Sequence, residues 1–85
     1  MQIQLQFTGR GYPAAHRLPE KIDLEPGADL AVALRIISAH VGDETLSSSC
    51  LIAVSGKHVG TLGNYLNQLL RDGDEIIVLA PVAGG

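Results

Sequence analysis

Two short, uninterrupted apolar runs limit what this chain can fold into. Residues 51–54 read Leu-Ile-Ala-Val and residues 76–79 read Ile-Ile-Val-Leu, and polar or turn-forming segments flank both. Continuous runs of branched side chains are typical of strands that are buried on both faces, because apolar and polar residues do not alternate in them. The sequence therefore predicts two central strands of one sheet. Pro81 is expected to end the second strand, since proline has no amide hydrogen to donate.

Alternating patterns predict two more strands near the start of the chain. Residues 2–7 alternate glutamine with apolar side chains and end at Phe7, which indicates a half-buried strand. Residues 20–25 alternate again and predict a second strand, antiparallel to the first. Pro26-Gly27 breaks this second strand.

One main helix is predicted after these strands, at about residues 29–41. Asp29 is a candidate N-cap, because its carboxylate can accept the free amide hydrogens of the first helical turn. Gly42 is positioned to end the helix. The predicted buried stripe has the spacing i, i+4, i+7 and i+11 and consists of Leu30, Leu34, Ile37 and Val41.

The remaining segments complete a predicted α+β fold of the β-grasp (ubiquitin-like) type. Residues 57–59 suggest a short edge strand, and the leucine spacing in residues 60–71 suggests a short helical turn. We expect a mixed sheet of four to five strands, with the last strand beside the first and one helix packed on one face. The predicted β-grasp domain covers residues 1–80, and residues 81–85 form a flexible tail.

Composition excludes several classes of function. The 85 residues fit one domain, and a net charge of -3 disfavours nucleic acid as a ligand. No apolar run approaches the ~20 residues of a membrane span, and the first residues do not resemble a signal peptide, so a cytoplasmic location is expected. Cys50 is the one cysteine and is expected to be a small buried side chain. The histidines have no metal-ligand spacing, and we expect no metal site and no bound cofactor.

The strongest functional signal is the ending Pro81-Val82-Ala83-Gly84-Gly85. Two terminal glycines bring no folding benefit, because glycine loses the most conformational entropy on ordering. Without side chains, they could pass through a narrow channel into the active site of another protein. The alternative is a disordered tail, which the glycines alone would leave favoured.

Residues 70–85 as a whole resemble the C-terminal signature of the MoaD and ThiS family of sulfur carriers. The shared pattern is a leucine, a turn ending in Gly-Asp, an apolar strand and a final Gly-Gly. The matching positions are Leu70, Gly73, Asp74, Glu75, Pro81, Val82, Gly84 and Gly85. The Pro-Val-x-Gly-Gly ending is nearer to MoaD, the small subunit of molybdopterin synthase. The chain departs from the family at Ser55, where Asn is frequent, at His58, where an apolar residue is expected, and in a longer connection at residues 60–69.

This resemblance implies a carrier protein and not an enzyme, although the chain could form the small subunit of a synthase complex. Gly85 would be adenylated by an activating enzyme of the MoeB and ThiF type, which uses ATP, and then converted to a thiocarboxylate. The sulfur would pass to a synthase large subunit or to another acceptor. The residues implied in partner docking are Phe7, Leu79, Pro81, Val82 and Ala83. For Phe7, ordinary core packing is an equal alternative.

The sequence and this resemblance are compatible with three functions. The first is a sulfur carrier, with molybdopterin (molybdenum cofactor) biosynthesis as the leading pathway and thiamine or another sulfur-transfer pathway as the alternative. The second is a ubiquitin-like modifier that is joined through Gly85 to lysines of other proteins. The third is a non-covalent interaction module whose tail has no role.

Overall fold

The computed structural model describes residues 1–8, 19–41 and 49–79, which form one mixed sheet and one helix. The elements are β1 (Gln2–Thr8), β2 (Lys21–Asp23), α1 (Leu30–Val41), β3 (Leu51–Val54), β4 (Lys57–Thr61), β5 (Asn64–Tyr65) and β6 (Glu75–Leu79). The strand order is β2-β1-β6-β3-β4-β5, in which β1 and β6 are parallel and all other neighbours are antiparallel. The last strand lies beside the first, as predicted. The sheet has six strands, more than the expected four to five.

The core lies between the sheet and α1. Its largest fully buried side chains are Ile3, Leu30, Ile37, Cys50, Ile52, Ile76 and Val78. Cys50 is 0% exposed, which confirms the expectation of a small buried side chain. In the described ranges, no helix is long and apolar enough to cross a membrane.

The two apolar runs are buried on one face only, so the prediction of strands buried on both faces is wrong. Ile52 and Val54 of β3, like Ile76 and Val78 of β6, are buried in the core. The alternate side chains of both strands point to the opposite face. There Leu51 is 41% exposed, and Ala53, Ile77 and Leu79 are half-buried. The physical reason is that one helix covers one side of the sheet. We call the other side the open face.

The helical turn predicted within residues 60–71 is also wrong. Gly60 and Thr61 of β4 pair with Tyr65 and Asn64 of β5, which makes a hairpin. Gly60 has a φ of 133°, a conformation that an α-helix cannot contain.

The chain after β5 then runs in extended form beside the start of α1. The Leu30 N–H donates to the Gln68 carbonyl at 2.9 Å, and the Leu70 N–H donates to the Ala28 carbonyl at 3.0 Å. Of the leucines with helical spacing, Leu70 is buried, whereas Leu66 is 77% and Leu69 is 71% exposed. The spacing therefore does not mark one buried stripe.

Asp29 caps the helix, as predicted. Its Oδ1 accepts the Val32 N–H at 3.0 Å, and α1 begins at the next residue, Leu30. Asn67 adds a second, non-local cap, because its Oδ1 accepts the Ala31 N–H at 3.0 Å and its Nδ2 donates to Asp29 Oδ2 at 2.9 Å. The hydrogen bond from Asn67, followed by the one from the Val32 N–H, holds the pKa of Asp29 below its usual value. The proposed helix end at Gly42 lies outside the described residues.

Candidate functional site

The candidate site is the part of the sheet from which the C-terminal segment departs. Leu79 is the last residue of β6 and the last that the structure describes. The predicted tail, with Pro81, Val82, Ala83, Gly84 and Gly85, lies outside the described residues, as does the proposed domain boundary. The geometry of the site is therefore that of the sheet surface around Leu79.

One row of paired residues crosses the sheet at this end. Thr8 lies opposite Leu79, Leu79 opposite Leu51, Leu51 opposite Thr61, and Thr61 opposite Asn64. Directly paired residues of neighbouring strands share a face of the sheet. We call this set the tail-end row, and it lies on the open face.

An apolar patch occupies the half of the open face formed by β3 and β6. Leu79 lies opposite Leu51, and Ile77 lies opposite Ala53. These four residues are the apolar patch. Contiguous apolar side chains that remain accessible on a folded domain mark surfaces for other proteins. Of these four residues, the sequence analysis identified only Leu79 as a docking residue. The other three could have been found because they lie in apolar runs, and the single predicted helix can cover only one face of the sheet.

The other half of the open face is polar. Gln4, Gln6 and Thr8 of β1 are exposed, and Gln4 lies opposite Glu75 while Gln6 lies opposite Ile77. The open face is thus divided along the boundary between β1 and β6. A partner that buries apolar surface is directed to the β6–β3 side of that boundary.

Phe7 lies on the other face of the sheet. It pairs with Val78, which is buried, and it is half-buried against the core. The structure therefore does not bring Phe7 and Leu79 together on one surface. Any effect of Phe7 on the apolar patch passes through the packing beneath the sheet.

The opposite end of the sheet is fixed by Ser55 and Asp74. Ser55, with a φ of 50°, and Gly56, with a φ of 84°, form the turn between β3 and β4. The Ser55 hydroxyl donates to Asp74 Oδ1 at 2.7 Å, and Asp74 Oδ2 accepts the Arg71 N–H at 2.8 Å. Asp74 thus binds two turns of its own chain, and both carboxylate oxygens have partners.

The titratable side chains of the described residues do not assemble a metal centre. Across residues 1–8, 19–41 and 49–79, no three His, Cys, Asp or Glu side chains are grouped so that they could hold a metal ion. His40 Nδ1 lies 3.0 Å from the Ile36 carbonyl oxygen, within its own helix, and His58 is exposed on β4. What the described part of the site offers is an accessible apolar patch at the end of the sheet where β6 ends.

Comparisons with known proteins agree with this geometry. A model of the ThiS family matches residues 5–85. A molybdopterin synthase sulfur carrier subunit from Chlamydomonas reinhardtii is 27% identical over 86 residues, which cover 100% of both chains. The solved complex of subunits 1 and 2 of molybdopterin-converting factor from Helicobacter pylori 26695 contains a similar chain. That chain is 29% identical with a TM-score of 0.56, and the match covers 100% of both chains.

Proposed function

We propose that this chain, which belongs to the ThiS family, carries sulfur on the carboxyl group of Gly85 for the synthesis of molybdopterin. The observation that supports this most directly is the family match through residue 85. The apolar patch is the second support, because it lies at the end of the sheet from which the chain continues to Gly85. The similarity to a molybdopterin synthase sulfur carrier subunit favours the molybdopterin pathway.

The chemistry begins with an unreactive group. A terminal carboxylate is ionised at neutral pH and is a poor electrophile. An activating enzyme of the MoeB and ThiF type joins the carboxylate of Gly85 to the AMP portion of ATP and releases pyrophosphate. The persulfide of a sulfur donor then attacks the carbonyl carbon, AMP leaves, and an acyl disulfide forms. A second thiol reduces this disulfide, which leaves the thiocarboxylate on Gly85 and a disulfide between the donor and that thiol.

The carrier contributes position and not catalysis. Gly84 and Gly85 have no side chains, so the reacting carbonyl can be enclosed by the ordered donors of the activating enzyme. We assign Pro81, Val82 and Ala83 to the segment that leads from the apolar patch into that enzyme. Leu79 lies within the patch, whereas Phe7 supports the sheet from the core side.

Intact mass measurement tests the proposal. The protein is incubated with the activating enzyme, ATP, Mg²⁺ and a persulfide donor, and we expect a mass gain equal to the replacement of one oxygen by sulfur, located at Gly85. A variant that lacks Gly84 and Gly85 should remain unmodified and keep the circular dichroism spectrum and Tm of the full chain. An unmodified wild-type protein, beside an activating enzyme that loads its own carrier, would contradict the proposal.

The acceptor is identified in the same preparation. The loaded protein is mixed with the large subunit of molybdopterin synthase and the pterin precursor, and we expect the mass to return to that of the carboxylate as sulfur is transferred. Retention of the thiocarboxylate in this mixture, with transfer to a thiamine-forming enzyme instead, would assign the carrier to the alternative pathway.

A further inference from the structure

The tip of the β4–β5 hairpin, residues 60–66, lies at the same end of the sheet as Leu79, the last described residue. Asn64 and Thr61 belong to the tail-end row that also contains Leu79. Three strand spacings of about 4.8 Å separate β6 from β5, so Asn64 lies roughly 14 Å from Leu79. Leu51 and Thr61 fill the distance between them on the same face.

The tip of this hairpin is held in one conformation. The Thr61 hydroxyl oxygen accepts the Asn64 N–H at 3.2 Å, and its hydrogen is directed to the Asn64 carbonyl at 3.4 Å. A Cβ on Gly60 would collide with the Asn64 carbonyl oxygen, which shows how closely the two strands approach. Tyr65 packs against the core. Such a fixed surface loses little conformational entropy when a partner binds it.

The hairpin is also uncharged. No Asp, Glu, Lys or Arg occurs between His58 and Arg71, although the chain as a whole has a net charge of -3. Leu66 is held beside β4 by the hydrogen bond from its N–H to the Val59 carbonyl at 3.0 Å, and its side chain is 77% exposed. The central parts of protein interfaces are depleted in charged side chains. The composition of the hairpin is therefore that of a contact surface.

We propose that the β4–β5 hairpin is a second contact for the large subunit of the synthase, separate from the tail; this rests on the carrier function proposed above. The segment from Leu79 to Gly85 spans at most about 20 Å, so the protein that receives Gly85 comes within that distance of Leu79. A standard interface buries about 800 Å² per partner, which is a disc roughly 16 Å in radius. A disc of this size centred on Leu79 includes the hairpin tip.

The large subunit fits this contact better than the activating enzyme does. The similar solved chain lies in a complex of two subunits of one converting factor. A subunit that remains bound requires more buried surface than a carrier that is released after each activation, because residence time depends on the contacts broken in dissociation. The tail enters both the activating enzyme and the large subunit. The hairpin supplies additional buried area in the complex with the large subunit, which lasts longer.

Three arginine variants test the assignment. Asn64→Arg and Leu66→Arg place a charge on the hairpin, and Ser38→Arg places the same charge on an exposed position of α1 as the matched control. The Kd for the large subunit is measured by isothermal titration calorimetry, and loading of Gly85 is measured by intact mass. We expect each hairpin variant to raise the Kd at least tenfold and Ser38→Arg to change it less than twofold. All three should load sulfur at the wild-type rate.

Two results would overturn the assignment. The first is a wild-type Kd in both hairpin variants. The second is slower loading in those variants with an unchanged Kd, which would give the hairpin to the activating enzyme. A failure of the carrier function is seen separately, because the wild-type protein itself would then show no mass gain with an active activating enzyme. Equal Tm values for the four proteins confirm that folding is retained.

Discussion

Leu51 lies directly opposite Leu79 in the antiparallel pairing of β3 with β6, and both side chains are on the open face. Side chains paired in this way have Cβ atoms about 5 Å apart. Leu79 lies two residues before the start of the predicted tail at Pro81. We therefore expect a protein that binds the tail to contact Leu51 on the neighbouring strand as well. Its 41% exposure leaves that contact available without any change in the fold.

Replacing Leu51 should therefore impair partner binding more than folding. We expect Leu51→Arg to lower kcat/KM for loading of Gly85 at least about tenfold, because a charge buried against an apolar partner surface is left unpaired. Ser38→Arg, at an exposed position of α1 on the other side of the sheet, is the matched control and should stay near the wild-type rate. Wild-type loading of Leu51→Arg would show that the apolar patch is not a docking surface for the activating enzyme.

Alanine substitutions at two glycines with positive φ distinguish the cost of backbone strain from the cost of a steric clash. Gly27 has a φ of 92° and, among the described residues, no atom within 4 Å of where a Cβ would lie. Gly60 combines a φ of 133° with the close approach of the Asn64 carbonyl oxygen. Gly27→Ala should cost about 1–2 kcal/mol of the free energy of unfolding from conformation alone. Gly60→Ala should cost at least about 1 kcal/mol more, because the hairpin has to open. Urea unfolding measures both, and equal losses would argue against a tight β4–β5 approach.

The bond between Ser55 and Asp74 should contribute measurably to stability. We expect Ser55→Ala to reduce the free energy of unfolding by about 1–2 kcal/mol, because the hydroxyl donates a hydrogen bond to the Asp74 carboxyl group at 2.7 Å. A double-mutant cycle with Asp74→Ala, which removes the acceptor, isolates the pair and should give a coupling of about 1 kcal/mol. Additive losses in urea unfolding would mean that the two turns are held independently.

The cap of α1 should make the protein sensitive to acid. The folded-state pKa of Asp29 is lowered, first by the bond from Asn67, so the stabilisation it provides is complete above its unfolded pKa of about 4. That stabilisation is lost as the pH falls through the lowered folded-state pKa. We expect the urea midpoint to fall with pH in this acid range, and to fall less in Asn67→Ala. Gln68→Ala is the neighbouring control, and an identical pH profile for the two variants would contradict the role of Asn67.

Local sequence patterns were sufficient to predict the secondary-structure elements that depend only on neighbouring residues. The alternation in residues 2–7 predicted β1, and Asp29 was identified as the cap because an N-cap acts within one helical turn. The position of the last strand beside the first also followed, since two continuous apolar runs belong at the centre of a sheet.

The errors arose where distant contacts decide the structure. Leu66 and Leu69 have helical spacing, but the segment forms a hairpin followed by an extended segment. The positive φ of Gly60 and the backbone hydrogen bonds to the start of α1 hold it in that form. An apolar run likewise does not reveal how many helices cover its sheet. For that reason the exposure of Leu51 and Ile77 on the open face, and hence most of the candidate docking surface, was not predicted.

The parallel pairing of β1 with β6 joins the first strand of the domain to the strand that ends at Leu79, beside the apolar patch. The Gln2 N–H donates to Asp72 Oδ1 at 2.7 Å across 70 positions of sequence, so the centre of the sheet closes only when almost the whole chain is available. β6 also joins β1 to β3, and its loss separates the sheet into two parts. A nascent or damaged copy with unpaired β6 therefore lacks the apolar patch as well as the anchor of its tail. If the chain carries sulfur as proposed above, we expect unfolded copies to be poor substrates for the activating enzyme, because they present no folded docking surface.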